Sequence, residues 1–92
     1  TLLMASAQGG LEEFVVSLID GGADPVAIDW AGRTALIYAA EAGHGRIVDY
    51  LLTHGADPER PDQDGKSAVD CATERGHDAV AEVLKSRART SS

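Results

Sequence analysis

Residues return along this chain at a fixed spacing of 33 positions, and that spacing restricts the fold more than any composition figure does. The unit is clearest from Asp29 to Pro61. Asp29-Trp30-Ala31-Gly32 reads as a turn, Thr34 to Ala40 as a short helix of small residues, and Gly43-His44-Gly45 as a break. Ile47, Val48, Leu51 and Leu52 then give a second helix its apolar stripe, and Gly55-Ala56-Asp57-Pro58 ends it. One period downstream stand Asp62, Gly65, Ala68, Ala72, Glu74, Gly76, His77 and Leu84. One period upstream stand Leu3, Ala7, Gly10, Val15, Leu18, Gly22, Ala23, Asp24 and Pro25. One turn and two helices per period predict a stacked solenoid, in which no unit buries its apolar side without a neighbour.

At these residues the chain resembles the ankyrin repeat family, over nearly its whole length. The resemblance implies an all-α, ankyrin-type solenoid of stacked helix-turn-helix pairs with projecting β-turn fingers. Its single domain divides into a truncated repeat (1–28), a full repeat (29–61), a C-terminal capping repeat (62–87) and a tail (88–92). The family's Thr-Pro-Leu-His is altered here to Thr34-Ala35-Leu36-Ile37 and to Ser67-Ala68-Val69-Asp70. Proline would have pre-set the first helical turn; the hydroxyls of Thr34 and Ser67 are left to cap the helices.

Leu2, Leu3 and Met4 read as entering in the middle of a first helix, so an apolar beginning without a polar cap is expected. That beginning suggests a segment of a longer array, or a face covered by something else. Gly9-Gly10 ends the helix, and Glu12 and Glu13 suit the positive end of the next one. Phe14, Val15, Leu18 and Ile19 are expected to form that helix's buried face. Ala39, Ala40 and Ala72 keep neighbouring helices close. In the last unit Thr73, Ala81 and Lys85 replace Ala40, Val48 and Leu52, so one side turns small and polar. A polar end keeps a solenoid soluble, and the array is expected to close there, with a fraying tail beyond Lys85.

Composition narrows the functional classes. At 92 residues and 43% hydrophobic the chain has material for one core, not two. No run of apolar residues is long enough to span a membrane. The lone Cys71 has no disulfide partner within the chain, which suits an intracellular setting, cytoplasmic or nuclear. The formal net charge of −7 repels phosphate backbones and argues against nucleic acid. It suits a basic protein partner, and equally suits mere solubility.

Each candidate constellation for chemistry fails on spacing. Asp62-Gln63-Asp64-Gly65 has the start of a calcium loop, but the position that must supply a bidentate glutamate is Thr73. Gly43-His44-Gly45 lacks a third glycine and follows a helix, so it is no dinucleotide loop. His44, His54 and His77 match no zinc pattern; His44 and His77 are expected to bond backbone at the helix-to-helix turn. Cys71 sits on an inner helix without a histidine base at hand. No enzyme activity, cofactor or metal is expected.

A binding surface is the remaining possibility. The resemblance implies docking on the concave side, lined by finger tips and the first helix of each repeat. Carried over by position, that surface holds Trp30, Ala31, Arg33, Glu41 and Ala42 in the central repeat. In the last repeat it holds Gln63, Asp64, Lys66, Glu74 and Arg75, and Gln8 matches Glu41. Trp30 stands out, because its counterpart is Gln63 and the fold does not demand an indole there. Trp and Arg dominate interface energetics, so Trp30 and Arg33 are the expected anchors unless Trp30 folds back over Val26 or Ile28. The expected function is recognition of a partner protein. A structural capping role in a larger scaffold and self-association through the apolar N-terminal face are the alternatives.

Overall fold

The computed structural model describes residues 1–90, with side chains through Arg87. Six helices follow in order: α1 (Leu2–Gly9), α2 (Glu12–Asp20), α3 (Ala35–Ala42), α4 (Gly45–Thr53), α5 (Ala68–Glu74) and α6 (Asp78–Thr90). Among the described residues there is no strand. Helices α1, α3 and α5 lie side by side as an inner row, and α2, α4 and α6 back them as an outer row. Helices α1 to α5 are short because each is closed by a glycine or a loop within three turns, so their stability comes from stacking. Leu36, Ile37, Ile47, Val48, Leu51 and Leu84 are fully buried between the rows, and Ala7, Ala39, Ala40 and Ala72 let the inner helices approach.

The inner-helix starts are capped by side chains, without proline. Thr34 Oγ1 accepts from the Ile37 amide at 3.3 Å. Ser67 and Asp70 cap each other's amides, at 3.4 and 3.0 Å, so the aspartate in the family's histidine position completes a capping box. Thr1 occupies the same place one period upstream, and its Oγ1 accepts from the Met4 amide at 3.2 Å. The expected entry in mid-helix is therefore corrected: α1 starts at Leu2 with a polar cap, in register with Ala35 and Ala68.

Two further expectations are corrected. Phe14 is not part of a buried face, because no described residue covers it; it is 57% exposed, while Val15 is buried and Leu18 and Ile19 are partly covered. The chain beyond Lys85 continues α6 in helical form to Thr90. Arg87 holds that extension down, donating to Asp49 at 2.7 Å and to Thr53 Oγ1 at 3.4 Å on α4. Ser91 and Ser92 of the expected tail lie outside the described residues.

Histidine fixes the spacing between pairs. His44 Nε2 lies 3.0 Å from the Gln8 carbonyl in the preceding pair; the carbonyl only accepts, so this nitrogen carries the proton. The ring rests over Gly10. One period on, the His77 ring rests over Gly43 in the same way.

Candidate functional site: the fingers and inner helices

Each finger is built around one aspartate. Asp29 Oδ1 accepts from the amides of Ala31 and Arg33, both at 2.9 Å, and its Oδ2 accepts from the Tyr38 hydroxyl on α3. The backbone closes the loop, with Asp29 N donating to Arg33 O at 3.0 Å and Gly32 N to Asp29 O at 2.9 Å. Asp62 repeats the pattern, accepting from Asp64 N at 2.9 Å and Lys66 N at 3.1 Å. The fingers are tied to each other as well. Gln63 N donates to Ala31 O at 3.0 Å, and Gln63 Nε2 donates to Trp30 O at 2.7 Å.

This frame presents Trp30 to solvent. Its side chain does not fold back over the finger stem: Trp30 is 89% exposed, and Val26 and Ile28 are exposed beside it. Gln63, Asp64, Lys66, Glu74 and Arg75 are exposed too, while Ala31, Glu41 and Ala42 are half-buried.

Arg33 is held differently. Its side chain is 18% exposed and its guanidinium sits among four groups. Nη2 donates to Glu41 Oε2 at 2.9 Å and lies 3.8 Å from Cys71 Sγ. Nε lies 3.7 Å from Asp62 Oδ2, without a hydrogen bond of its own. The plane covers the Tyr38 ring, 4.5 Å from its centre. Burial works against the charge, but the hydrogen bond and charge of Glu41 outweigh it and hold the arginine pKa above its usual value. Arg33 thus joins the central repeat to α5 and to the second finger from inside the stack.

Of the other charges of the surface, Arg75, Lys66 and Glu74 are paired, while the exposed Asp64 carboxylate forms no salt bridge. Arg75 Nη2 comes within 4.0 Å of the second Glu41 oxygen, and Lys66 Nζ donates to Glu74 Oε1 at 2.9 Å. That bond lifts the Lys66 pKa. The acid excess of the chain therefore lies elsewhere, on residues such as Glu12, Glu13, Asp57, Glu59, Asp78 and Glu82, all of them exposed. Cys71 is buried on α5, and burial pushes its thiol pKa up, away from the thiolate a nucleophile requires. Among the described residues no group of three or more His, Cys, Asp or Glu side chains could hold a metal ion, and no helix is long and apolar enough to cross a membrane.

The translation of helix pair and finger by one fixed spacing is the signature of a known repeat, and the family model for ankyrin repeats (3 copies) matches residues 1–91. The chain belongs to the ankyrin repeat family. Ankyrin repeats are, as a class, non-catalytic modules that bind other proteins. No curated protein matches the chain. Within this ankyrin domain the sequence placed the finger and inner-helix residues on the elements where they stand. It could not show that Arg33 turns inward, since nothing in the local pattern marks Tyr38 and Asp62 as its neighbours. It also did not single out Leu11 and assigned Phe14 to a buried face, whereas both are exposed.

Proposed function

We propose that this ankyrin domain recognises a partner protein through the finger and inner-helix surface, with Trp30 as the anchor. One observation carries the reading: a large aromatic side chain, 89% exposed, stands on a finger whose backbone is fixed from both sides by Asp29 and Gln63. An aromatic with only two side-chain torsions on a fixed backbone loses little entropy on binding, and Trp is among the residue types enriched at such contacts. Ala31, Ala42, Gln63 and Asp64 supply flat and polar surroundings, and the Arg33–Glu41–Arg75 and Lys66–Glu74 groups form a rim of paired charge. Arg33 serves this surface by holding it in place, not as a second anchor.

The paired rim bears on the partner's chemistry. A basic partner is favoured mainly by the acidic field of the whole chain, which steers approach, with Asp64 the one carboxylate of the named surface outside a salt bridge. Raising salt should therefore slow association more than it hastens dissociation. The same reading gives the chain no catalytic role, and the buried thiol of Cys71 suits an intracellular setting.

The test compares Trp30→Ala with the unaltered chain in capture of binding proteins, with thermal unfolding as control. Loss of the captured protein at unchanged melting is expected. Capture that survives the substitution sinks the reading. Melting that falls with it supports instead the structural capping role.

A further inference from the structure

The two finger tips differ at two positions that the finger frame does not use. Trp30 stands where the second finger has Gln63, and Asp64 where the first has Ala31. The frame itself rests on the carboxylates of Asp29 and Asp62 and on backbone bonds. Trp30 is 89% exposed. Asp64 is exposed as well, and it meets the frame through its amide, which donates to Asp62 Oδ1 at 2.9 Å. Among the described residues its carboxylate has neither an ion-pair nor a hydrogen-bond partner. Lys66 feels that charge, but its ammonium is committed to Glu74 at 2.9 Å.

Packing brings the two positions together. Gln63 N donates to Ala31 O at 3.0 Å and Gln63 Nε2 to Trp30 O at 2.7 Å, so Asp64 follows directly on the residue clamped to the first tip. Gly32 permits the approach, since a Cβ there would stand 3.1 Å from Gln63 N. An exposed indole and an unpaired carboxylate are thus carried on neighbouring tips that are bonded to each other.

The chemistry of this pair selects its occupant. An indole face attracts cations, and a planar guanidinium stacks on it while its N–H groups stay free to meet a carboxylate. An ammonium would meet the carboxylate too, but as a compact and strongly hydrated charge it gains less from the ring. An acidic side chain or a phosphate would be repelled by Asp64. An aliphatic side chain would cover Trp30 and leave Asp64, wherever it lost water, without a partner.

We propose that Trp30 and Asp64 together form a seat for an arginine side chain of the partner protein, its guanidinium stacked on the indole and paired with the carboxylate. The inference rests on the reading of Trp30 as the anchor and adds the group that the anchor meets. The acidic field of the whole chain then steers approach, and Asp64 selects at contact.

Five-residue glycine peptides, capped at both ends and carrying a central arginine, citrulline, lysine or leucine, test the seat at constant salt. Amide NMR shifts of Ala31, Gln63 and Gly65 report binding. The arginine peptide should shift them saturably, and citrulline, which keeps the shape without the charge, should bind about fivefold more weakly. Lysine should fall between the two. Asp64→Asn should weaken the arginine peptide about threefold, and Trp30→Ala at least as much, both at unchanged melting. Glu82→Gln, the same change of charge on α6, should leave it unaltered. No shift with the arginine peptide overturns the proposal, as does citrulline or lysine bound as tightly as arginine. Equal weakening by Glu82→Gln and Asp64→Asn also overturns it, by returning the effect to the overall field. A leucine peptide that outbinds arginine and is lost with Trp30→Ala overturns it while leaving Trp30 the anchor. Arginine binding that Trp30→Ala does not change removes both the proposal and the reading beneath it.

Discussion

Gly43 has room for neither a side chain nor an ordinary backbone. Its φ is 80°, and a Cβ there would stand 2.7 Å from the His77 ring. Gly43→Ala should therefore lower stability by about 1–3 kcal/mol in urea unfolding, through strain and overpacking together. Trp30 is the opposite case: truncation to alanine should leave unfolding within about 0.5 kcal/mol, as for an exposed side chain without partners. Arg33→Ala should not be silent, because it uncovers the Tyr38 ring, removes the cation beside Asp62 and leaves Glu41 only its longer contact with Arg75; about 1–3 kcal/mol is expected. Substituting Trp30 and Arg33 together would thus confuse recognition with folding, and the single variants separate them.

The Asp29–Tyr38 bond adds a pH dependence. The Tyr38 hydroxyl, with the Arg33 and Ala31 amides, holds the Asp29 carboxyl below its ordinary pKa of 3.8. A depressed carboxyl pKa stabilises the fold in full above the unfolded value and loses that contribution as pH falls through the folded one. Urea midpoints taken from about pH 5 to about pH 2 should fall less steeply for Tyr38→Phe than for the unaltered chain, since the largest cause of the shift is gone. Equal slopes would remove Asp29 from the acid response.

At the level of elements, the caps do what proline does elsewhere in this repeat. Ser67→Ala removes one half of the box with Asp70 and should cost about 0.5–2 kcal/mol. Leu51→Ala on α4 should cost about 2–5 kcal/mol, as a fully buried leucine between helix rows leaves a cavity. The helices themselves were legible from spacing: period and glycine breaks placed all of them, because a helix that must bury one stripe writes that stripe into its residues. Their ends were less legible. Thr1 was not recognised as a cap, although Thr34 and Ser67 stand at the same position in the following units, and α6 runs past Lys85 because Arg87 reaches α4 across the fold.

For the whole molecule, stability near 0.05–0.15 kcal/mol per residue leaves only several kcal/mol for the chain, so one inter-pair interface more or less weighs heavily. The sequence by itself determined the repeat, the row of inner and outer helices, and which residues ride on fingers. Those follow from the patterning that local chemistry imposes within a copy and from the period that successive copies display. Tertiary structure alone decided that Trp30 stands clear while Arg33 is drawn inward, and that Phe14 is exposed where Ile47 is buried. These are matters of what lies across the gap between units, and a side chain's exposure depends on the neighbour that covers it, not on the residues beside it in the chain.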